Sequence, residues 1–296
     1  TLREIEWSPS RTGLINPIAV FDPVELEGTT VSRASVHNVS IVKELQLGIG
    51  DTIQVYKANM IIPQIAENLT RSGKLEIPHI CPVCGQEARI IQENEVESLY
   101  CMNPDCVAKK IKAFTLFVSR DAMNIDGLSE ATLEKFIAKG FIHDFGDIFE
   151  IAKYRDEIVG MDGFGEKSFD NLMASIEKAK ETVLAKVLYS LGIANIGLSN
   201  AKVICRHFED DLAQIRNAKE EEVGAIDGIG PVIARSLTKY FEDPDNNRRL
   251  DHLLRYLHIN KEEISKNQTL AGMNFVITGS LEHFSNRGEA KNLIES

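Results

Sequence analysis

The first 75 residues alternate short apolar runs with turn residues. Ile18-Ala19-Val20-Phe21, Thr30-Val31 and Thr52-Ile53-Gln54-Val55-Tyr56 are rich in β-branched side chains, and Gly13, Gly28, Gly48, Gly50 and Gly73 punctuate them. Short strands with regular turn signals predict a small barrel or sandwich. One helix is expected between strands, over Val39 to Leu47. From about residue 113 to 260 the pattern becomes helical. The final stretch, Leu270 to Leu281, reads as a strand and turn ahead of a helix from Gly288 onward.

The helical region carries an internal repeat. Asp126-Gly127-Leu128, Asp162-Gly163-Phe164-Gly165, Ile196-Gly197-Leu198-Ser199 and Asp227-Gly228-Ile229-Gly230 recur at intervals of 36, 34 and 31 residues. Each follows an apolar segment and precedes a helix-forming one, such as Ser168 to Ala179 or Val232 to Phe241. The unit is a helix, a glycine hairpin and a second helix. Such a hairpin presents backbone N–H groups at the start of the second helix, where they lack intrahelical acceptors and the helix dipole is positive. A phosphate oxygen fits there. Contacts of this kind position a nucleic acid without reading its bases. A plain αα-hairpin with a glycine cap is the alternative for any one copy, but four in tandem favour phosphate binding. Gly163 and Gly165, with Gly228 and Gly230, are expected to be the best clamps. Ser129 and Ser199 stand in the second glycine position of the other two copies, which are expected to be mostly structural; Gly197 is kept as a candidate contact.

Between these regions lie four of the five cysteines. Cys81 and Cys84 are followed, after sixteen residues, by Cys101 and Cys106. Two short cysteine pairs at this separation have zinc-ribbon spacing. Four thiolates fill a tetrahedron and leave no position for water, so a structural Zn2+ is expected. Disulfides are the alternative, disfavoured by an odd cysteine total and the lack of a secretory signal. Cys205 is expected to be a small buried residue on a helix.

Composition adds a tension. The 296 residues are 43% apolar and 26% charged, ordinary for a globular protein of two or more domains. No apolar run approaches the ~18 residues of a membrane span. The start at Thr1, with neither Met nor an apolar signal region, suggests a fragment. Yet 33 basic side chains face 44 acidic ones, and residues 116–265 hold 19 basic against 27 acidic. Bulk charge cannot grip a polyanion there. Helix-end N–H groups need no net positive charge, so acidity and phosphate binding can coexist.

The order of these modules resembles the C-terminal part of a bacterial NAD-dependent DNA ligase. Arg11-Thr12-Gly13, Pro17 to Ala19, Pro23-Val24, Gly28, Val31, Ala34 and His37-Asn38 look like that family's OB-fold signature. Ile49 to Thr52, Lys57-Ala58 and Ile61-Ile62-Pro63 look like its second half. Leu270 to Leu281 resembles the opening of a BRCT domain. The resemblance implies an OB-fold at 1–75, a zinc module at 76–112, four helix-hairpin-helix motifs at 113–262 and an incomplete BRCT start at 263–296. Ser8-Pro9-Ser10, Lys57 and Asn59-Met60 depart from the family's usual residues; Lys57 stands where Arg is common and cannot make Arg's bidentate contact.

By this resemblance the substrate is duplex DNA with a 5′-phosphate/3′-hydroxyl nick, sealed through enzyme-AMP and DNA-adenylate intermediates. Arg11 and Thr12 are expected on backbone phosphate, Lys57 on phosphate as a point charge, and Ile61-Ile62 on the minor groove, with a buried strand pair as the alternative. His37 is expected to be a hydrogen-bonded structural residue and Trp7 to pack on the barrel. The family's adenylated Lys sits in Lys-x-Asp-Gly. Here Asn124, Gly160 and Ala225 precede the three Asp-Gly pairs by two positions. The nucleophile, with the use of NAD and Mg2+, is therefore expected upstream of Thr1, and this chain alone is expected to be inactive. A cytoplasmic, nucleoid-associated monomer working with its own adenylation domain is implied. A non-enzymatic DNA-junction binder is the main competing class, disfavoured by the zinc module and BRCT-like tail. A nuclease or repair scaffold would need a carboxylate cluster that the sequence does not display.

Overall fold

The computed structural model describes residues 1–261 and, beyond them, only positions 275, 276, 290 and 294. The expected BRCT start at 263–296 lies outside the described residues.

Five strands and one helix build the N-terminal barrel: β1 Leu2–Pro9, β2 Leu14–Leu26, β3 Thr29–Ser35, α1 Val39–Glu44, β4 Ile53–Ala58 and β5 Ile62–Asn68. Antiparallel pairing joins β1 to β2, β2 to β3 and β4 to β5. A parallel contact, Ser35 with Gln64, joins β3 to β5. The ring closes where the Leu2 N–H donates to the Asp51 carbonyl and the Gly50 N–H to the Leu2 carbonyl, both at 2.8 Å. Alternation puts Ile15, Ala19 and Phe21 of β2 inside, with Leu2, Ile5, Val31 and Ala34. Asn38 caps α1, its side chain accepting from the Ile41 N–H. Asn68, fully buried, donates to the Leu45 and Gln46 carbonyls and to Asp51 at 2.7 Å. Burial raises the Asp51 pKa, but the hydrogen bonds from Ser72 and Asn68 prevail and hold it below the usual carboxylate range.

The cysteine segment is stitched to this barrel. The sequence pattern assigns it no strands, yet it forms a hairpin, β6 Ala88–Glu93 and β7 Val96–Cys101. β7 extends the sheet through Leu14 with Tyr100 and Ile15 with Leu99. The Cys101 N–H adds a bond to the Gly13 carbonyl at 2.8 Å. Ile15, Val39, Leu99 and three of the four cysteines share one small apolar cluster.

The remainder is helical: α2 Val107–Val118, α3 Glu130–Ala138, a 3-10 helix Phe145–Tyr154, α4 Arg155–Val159, α5 Glu166–Ala179, α6 Leu184–Ser190, α7 Leu198–His207, α8 Leu212–Asn217, α9 Glu220–Gly224, α10 Pro231–Glu242 and α11 Pro244–Leu254. One continuous core runs through it. Phe114, Phe117 and Phe136 are buried to within 2%, and Phe117 stacks on Phe145 at 4.4 Å between ring centres. Burying each such ring contributes roughly 2–3 kcal/mol. A parallel strand pair, β8 Glu181–Val183 with β9 His258–Asn260, ties the end of this region to its middle. Cys205 is 1% exposed on α7, as expected.

Candidate nucleic-acid interface and metal centre

All four glycine repeats form helix–turn–helix units, with turns between α2 and α3, α4 and α5, α6 and α7, and α9 and α10. Two residues before the N-cap of each second helix the backbone takes positive φ. Gly127, Gly163 and Gly228 supply it at 91°, 83° and 80°. In the third copy Asn195 does so, at 63°. Asn is the next residue type to visit this conformation after Gly.

The third repeat is thereby corrected by two residues. Gly197 matches Gly165 and Gly230, not Gly163 and Gly228. Gly197, Gly165 and Gly230 are the N-caps of α7, α5 and α10, all with extended backbone and no side-chain cap. Ser199 lies inside α7 and does not occupy the second glycine position. Three copies, rather than two, have a glycine cap.

The caps also explain why glycine stands there. Their extended φ suits any residue, and a Cβ at any of the three would meet no atom within 4 Å. Neither backbone nor internal packing demands glycine. The space in front of these helix starts is open, and the first N–H groups of a helix have no acceptor within it. Pro231 removes one such donor from α10. The first copy differs. Ser129 caps α3 with its own side chain, accepting from the Thr132 N–H at 3.2 Å. A Cβ on Gly127 would meet Leu172 at 3.5 Å, and the Asp126 N–H donates to the Ser175 hydroxyl. That turn is packed against α5.

On the barrel, the β4–β5 hairpin projects apolar side chains. Met60 and Ile61 are each 77% exposed, with Ile62 at 49%. Ile61 and Ile62 are therefore not a buried strand pair. Lys57 sits on β4 with its Nζ on the Thr29 hydroxyl. Thr12 is exposed, its hydroxyl 3.0 Å from that of Ser10. His37 is exposed at φ 64°, with its N–H rather than its ring bonded to Ser35. Arg33 pairs with Glu6. Trp7 packs against the barrel core, as expected.

Arg11 is half-buried and not a solvated loop arginine. It leaves the β1–β2 turn and lies over Gly192 at the end of α6, where a Cβ would come within 3.2 Å of Nε. It reaches across from the barrel to the helical region. The sequence holds no signal for this, because the contact joins residues far apart in the chain.

The four cysteines converge. Their Sγ atoms all lie within 4.8 Å of one another, with Cys84 to Cys101 at 3.6 Å and Cys81 to Cys106 at 4.0 Å. Tetrahedral zinc with Zn–S bonds of ~2.3 Å needs sulfurs about 3.8 Å apart. Burial raises the Cys84 thiol, but the Gln86 N–H, the Asn103 side chain and the facing thiols outweigh it and bring the pKa down to about 6. Burial pushes Cys101 up to about 12 and also raises Cys106. Four sulfurs at this distance cannot all be thiolates without a cation between them. The donor set fits a metal ion. A second group, Asp144, Asp147 and His252, is also close, but its atoms are engaged: Asp144 and Asp147 form a capping box at the 3-10 helix, and His252 binds Asp144.

Comparison with known proteins agrees with this geometry. Residues 1–76 match the family model of the NAD-dependent DNA ligase OB-fold domain, and residues 186–250 match that of the helix-hairpin-helix motif. The match places an OB-fold barrel of ligase type and helix-hairpin-helix units in one chain. The whole chain is 60% identical to a DNA ligase of Lachnoclostridium phytofermentans and 58% identical to one of Ruminiclostridium cellulolyticum, covering 45% of each. The chain is similar along its whole length to these two DNA ligases, and its first 76 residues to the OB-fold domain of the NAD-dependent ones. It spans a little under half the length of these relatives. Among the described residues no helix is long and apolar enough to cross a membrane.

Proposed function

We propose that this chain is the DNA-gripping, C-terminal part of an NAD-dependent DNA ligase that seals 5′-phosphate/3′-hydroxyl nicks in duplex DNA. The observation that carries this is the set of three glycine-capped helix starts facing open space. Gly165, Gly197 and Gly230, with the turn residues Gly163 and Gly228, would take backbone phosphates on N–H donors. The exposed Ile61 and Ile62 would press into the minor groove, with Thr12 and Lys57 on nearby phosphate. Arg11 would join them only by leaving its place over Gly192. Cys81, Cys84, Cys101 and Cys106 would hold one structural Zn2+ that fixes the β6–β7 hairpin on the barrel. When bound, that ion supplies charge neutralisation and cross-linking, not chemistry.

The same reading assigns the modules to 1–75, 76–112 and 113–262, with a BRCT start following. NAD and Mg2+ would act through an adenylation domain that supplies the nucleophilic Lys. The protein would work as a monomer in the cytoplasm, on the nucleoid. The test mixes this chain with the adenylation domain of the Lachnoclostridium ligase, a nicked duplex, NAD and Mg2+. Sealing should need both pieces, and this chain alone should bind the duplex in a salt-sensitive way. Sealing by this chain alone, or no duplex binding at low salt, would overturn the reading.

A further inference from the structure

A cavity of about 330 Å3 lies where the barrel, the cysteine segment and the helical region meet. Arg11, Lys109, Lys110, His143, Tyr240 and Arg249 are among its lining residues. In a chain with an excess of carboxylates, a basic lining of this kind is unexpected. Two acids, Asp105 and Asp144, also border it. Asp144 is committed to His252 and to the Gly146 N–H.

The cations divide into engaged and unengaged. Lys109 donates to the Cys101 carbonyl at 2.9 Å, and Arg249 pairs with Asp245 at 2.6 Å. The side chains of Arg11 and Lys110 have no hydrogen bond or ion pair among the described residues. The Arg11 Nε is out of reach of solvent and without an acceptor. The end of α6 favours a cation there, but no carbonyl satisfies Nε. A buried guanidinium N–H left unpaired costs free energy that a ligand oxygen would recover. Lys110 is half-buried, and burial, followed by the nearby Arg249 charge, holds it below the usual lysine range. The charges of Asp147, Asp144 and Asp105 oppose this lowering without cancelling it. Burial pushes Tyr240 up to about 12, so its hydroxyl stays a donor.

We propose that this junction cavity binds a small phosphate-bearing anion, such as pyrophosphate or the phosphate of a mononucleotide, through Arg11 and Lys110. Its size is that of a small-molecule pocket and far too narrow for a duplex. Arg11 comes from the β1–β2 turn, Lys110 from α2 and Arg249 from α11, so one anion would tie all three parts together. The inference stands on the cavity and its unpaired cations, and holds whether or not the hairpins grip DNA.

The test is calorimetric titration of pyrophosphate and of AMP into the zinc-loaded chain, beside Lys110→Gln, Arg11→Gln and an exposed control, Lys178→Gln. Melting curves establish that each variant folds. Saturable binding by the wild type and by K178Q is expected, weakened about tenfold in K110Q and in R11Q, the loss of one charge-assisted contact. Should R11Q fail to fold, K110Q carries the comparison. No saturable binding, or equal binding by K110Q, would overturn the proposal. A short duplex distinguishes the source of the phosphate. If un-nicked DNA occupies the cavity, shown by loss of its binding in K110Q while pyrophosphate and AMP fail to bind, the small-anion assignment falls.

Discussion

The imidazole Nδ1 of His252 lies 2.8 Å from the carboxylate of Asp144, joining residues 108 positions apart. Asp144 is the N-cap of the 3-10 helix Phe145–Tyr154, and His252 lies on α11, so the contact locks α11 onto the middle of the helical region. Glu150 and Tyr256 complete the cluster. The Tyr256 hydroxyl donates to Glu150, and Lys153 does so at 2.8 Å.

This cluster sets a pH dependence. Hydrogen bonds from Lys153 and then Tyr256 outweigh burial and hold the Glu150 pKa down to about 2. An unfolded Glu titrates near 4.3. A depressed carboxylate binds protons more readily in the unfolded chain, so its stabilisation is present above the unfolded value and is lost as pH falls toward about 2. The melting temperature of the wild type should therefore fall between about pH 5 and 2 more steeply than that of Glu150→Gln. Parallel curves for the two proteins would count against the cluster as a stabilising unit.

Glycine caps make a prediction in which stability and binding move in opposite directions. Ser is a better N-cap than Gly by a few tenths of a kcal/mol. Gly165→Ser should thus raise the melting temperature slightly, because the new Cβ meets open space. The same side chain would occupy the donors meant for phosphate and stand in its path. Duplex affinity should fall about two- to fivefold, the worth of one helix-end anion contact. Ser129→Gly is the reverse case and should cost a few tenths of a kcal/mol with no loss of affinity. Anisotropy with a labelled duplex and thermal melts together read both signs.

The metal centre can be checked by removal. The four sulfurs draw together strands and loops that otherwise have little core. Stripping the metal with a chelator, or replacing Cys84 by Ser, should release the β6–β7 hairpin from β2 while the barrel core remains. Hydrogen exchange should then rise at Leu99 and Cys101 but not at Ala19 or Phe21. Elemental analysis should give one zinc per untreated chain. Unchanged exchange after metal loss would mean that packing alone holds the hairpin.

How much of this was legible follows from what is local. The cysteine spacing is local, and the four sulfurs meet. The turn glycines at 127, 163 and 228 are local, and each has positive φ. In the third repeat Asn195 replaces glycine as the turn residue, so the glycine pattern alone puts Gly197 and Ser199 two residues out of register. Allowing Asn at the turn restores the register. The β6–β7 hairpin pairs locally, as in Glu93 with Val96, but its seam with β2 joins residues some 85 apart, such as Ile15 with Leu99, and no local pattern encodes that. Arg11 follows the same logic: its motif is readable, but its place over Gly192 is set by how separate parts dock.

The β4–β5 turn supplies the last prediction. Asn59 and Met60 both have positive φ, at 51° and 61°, and the Ile61 N–H donates to the Ala58 carbonyl at 3.1 Å. Two such residues mark a type I′ hairpin, where Asn-Gly is the favoured pair. A methionine in the glycine position costs roughly 1 kcal/mol. Met60 is 77% exposed, so burial does not repay that cost. The strain is better explained by what the side chain meets outside the chain. Met60→Gly should raise stability by up to about 1 kcal/mol and weaken duplex binding. Ile61→Ala, at an equally exposed position, should leave stability within about 0.5 kcal/mol and also weaken binding. Both effects should appear with nicked duplex in anisotropy and be compared with melts of the free proteins. If both variants bind DNA as the wild type does, the hairpin tip makes no groove contact, and the grip would rest on the helix starts alone.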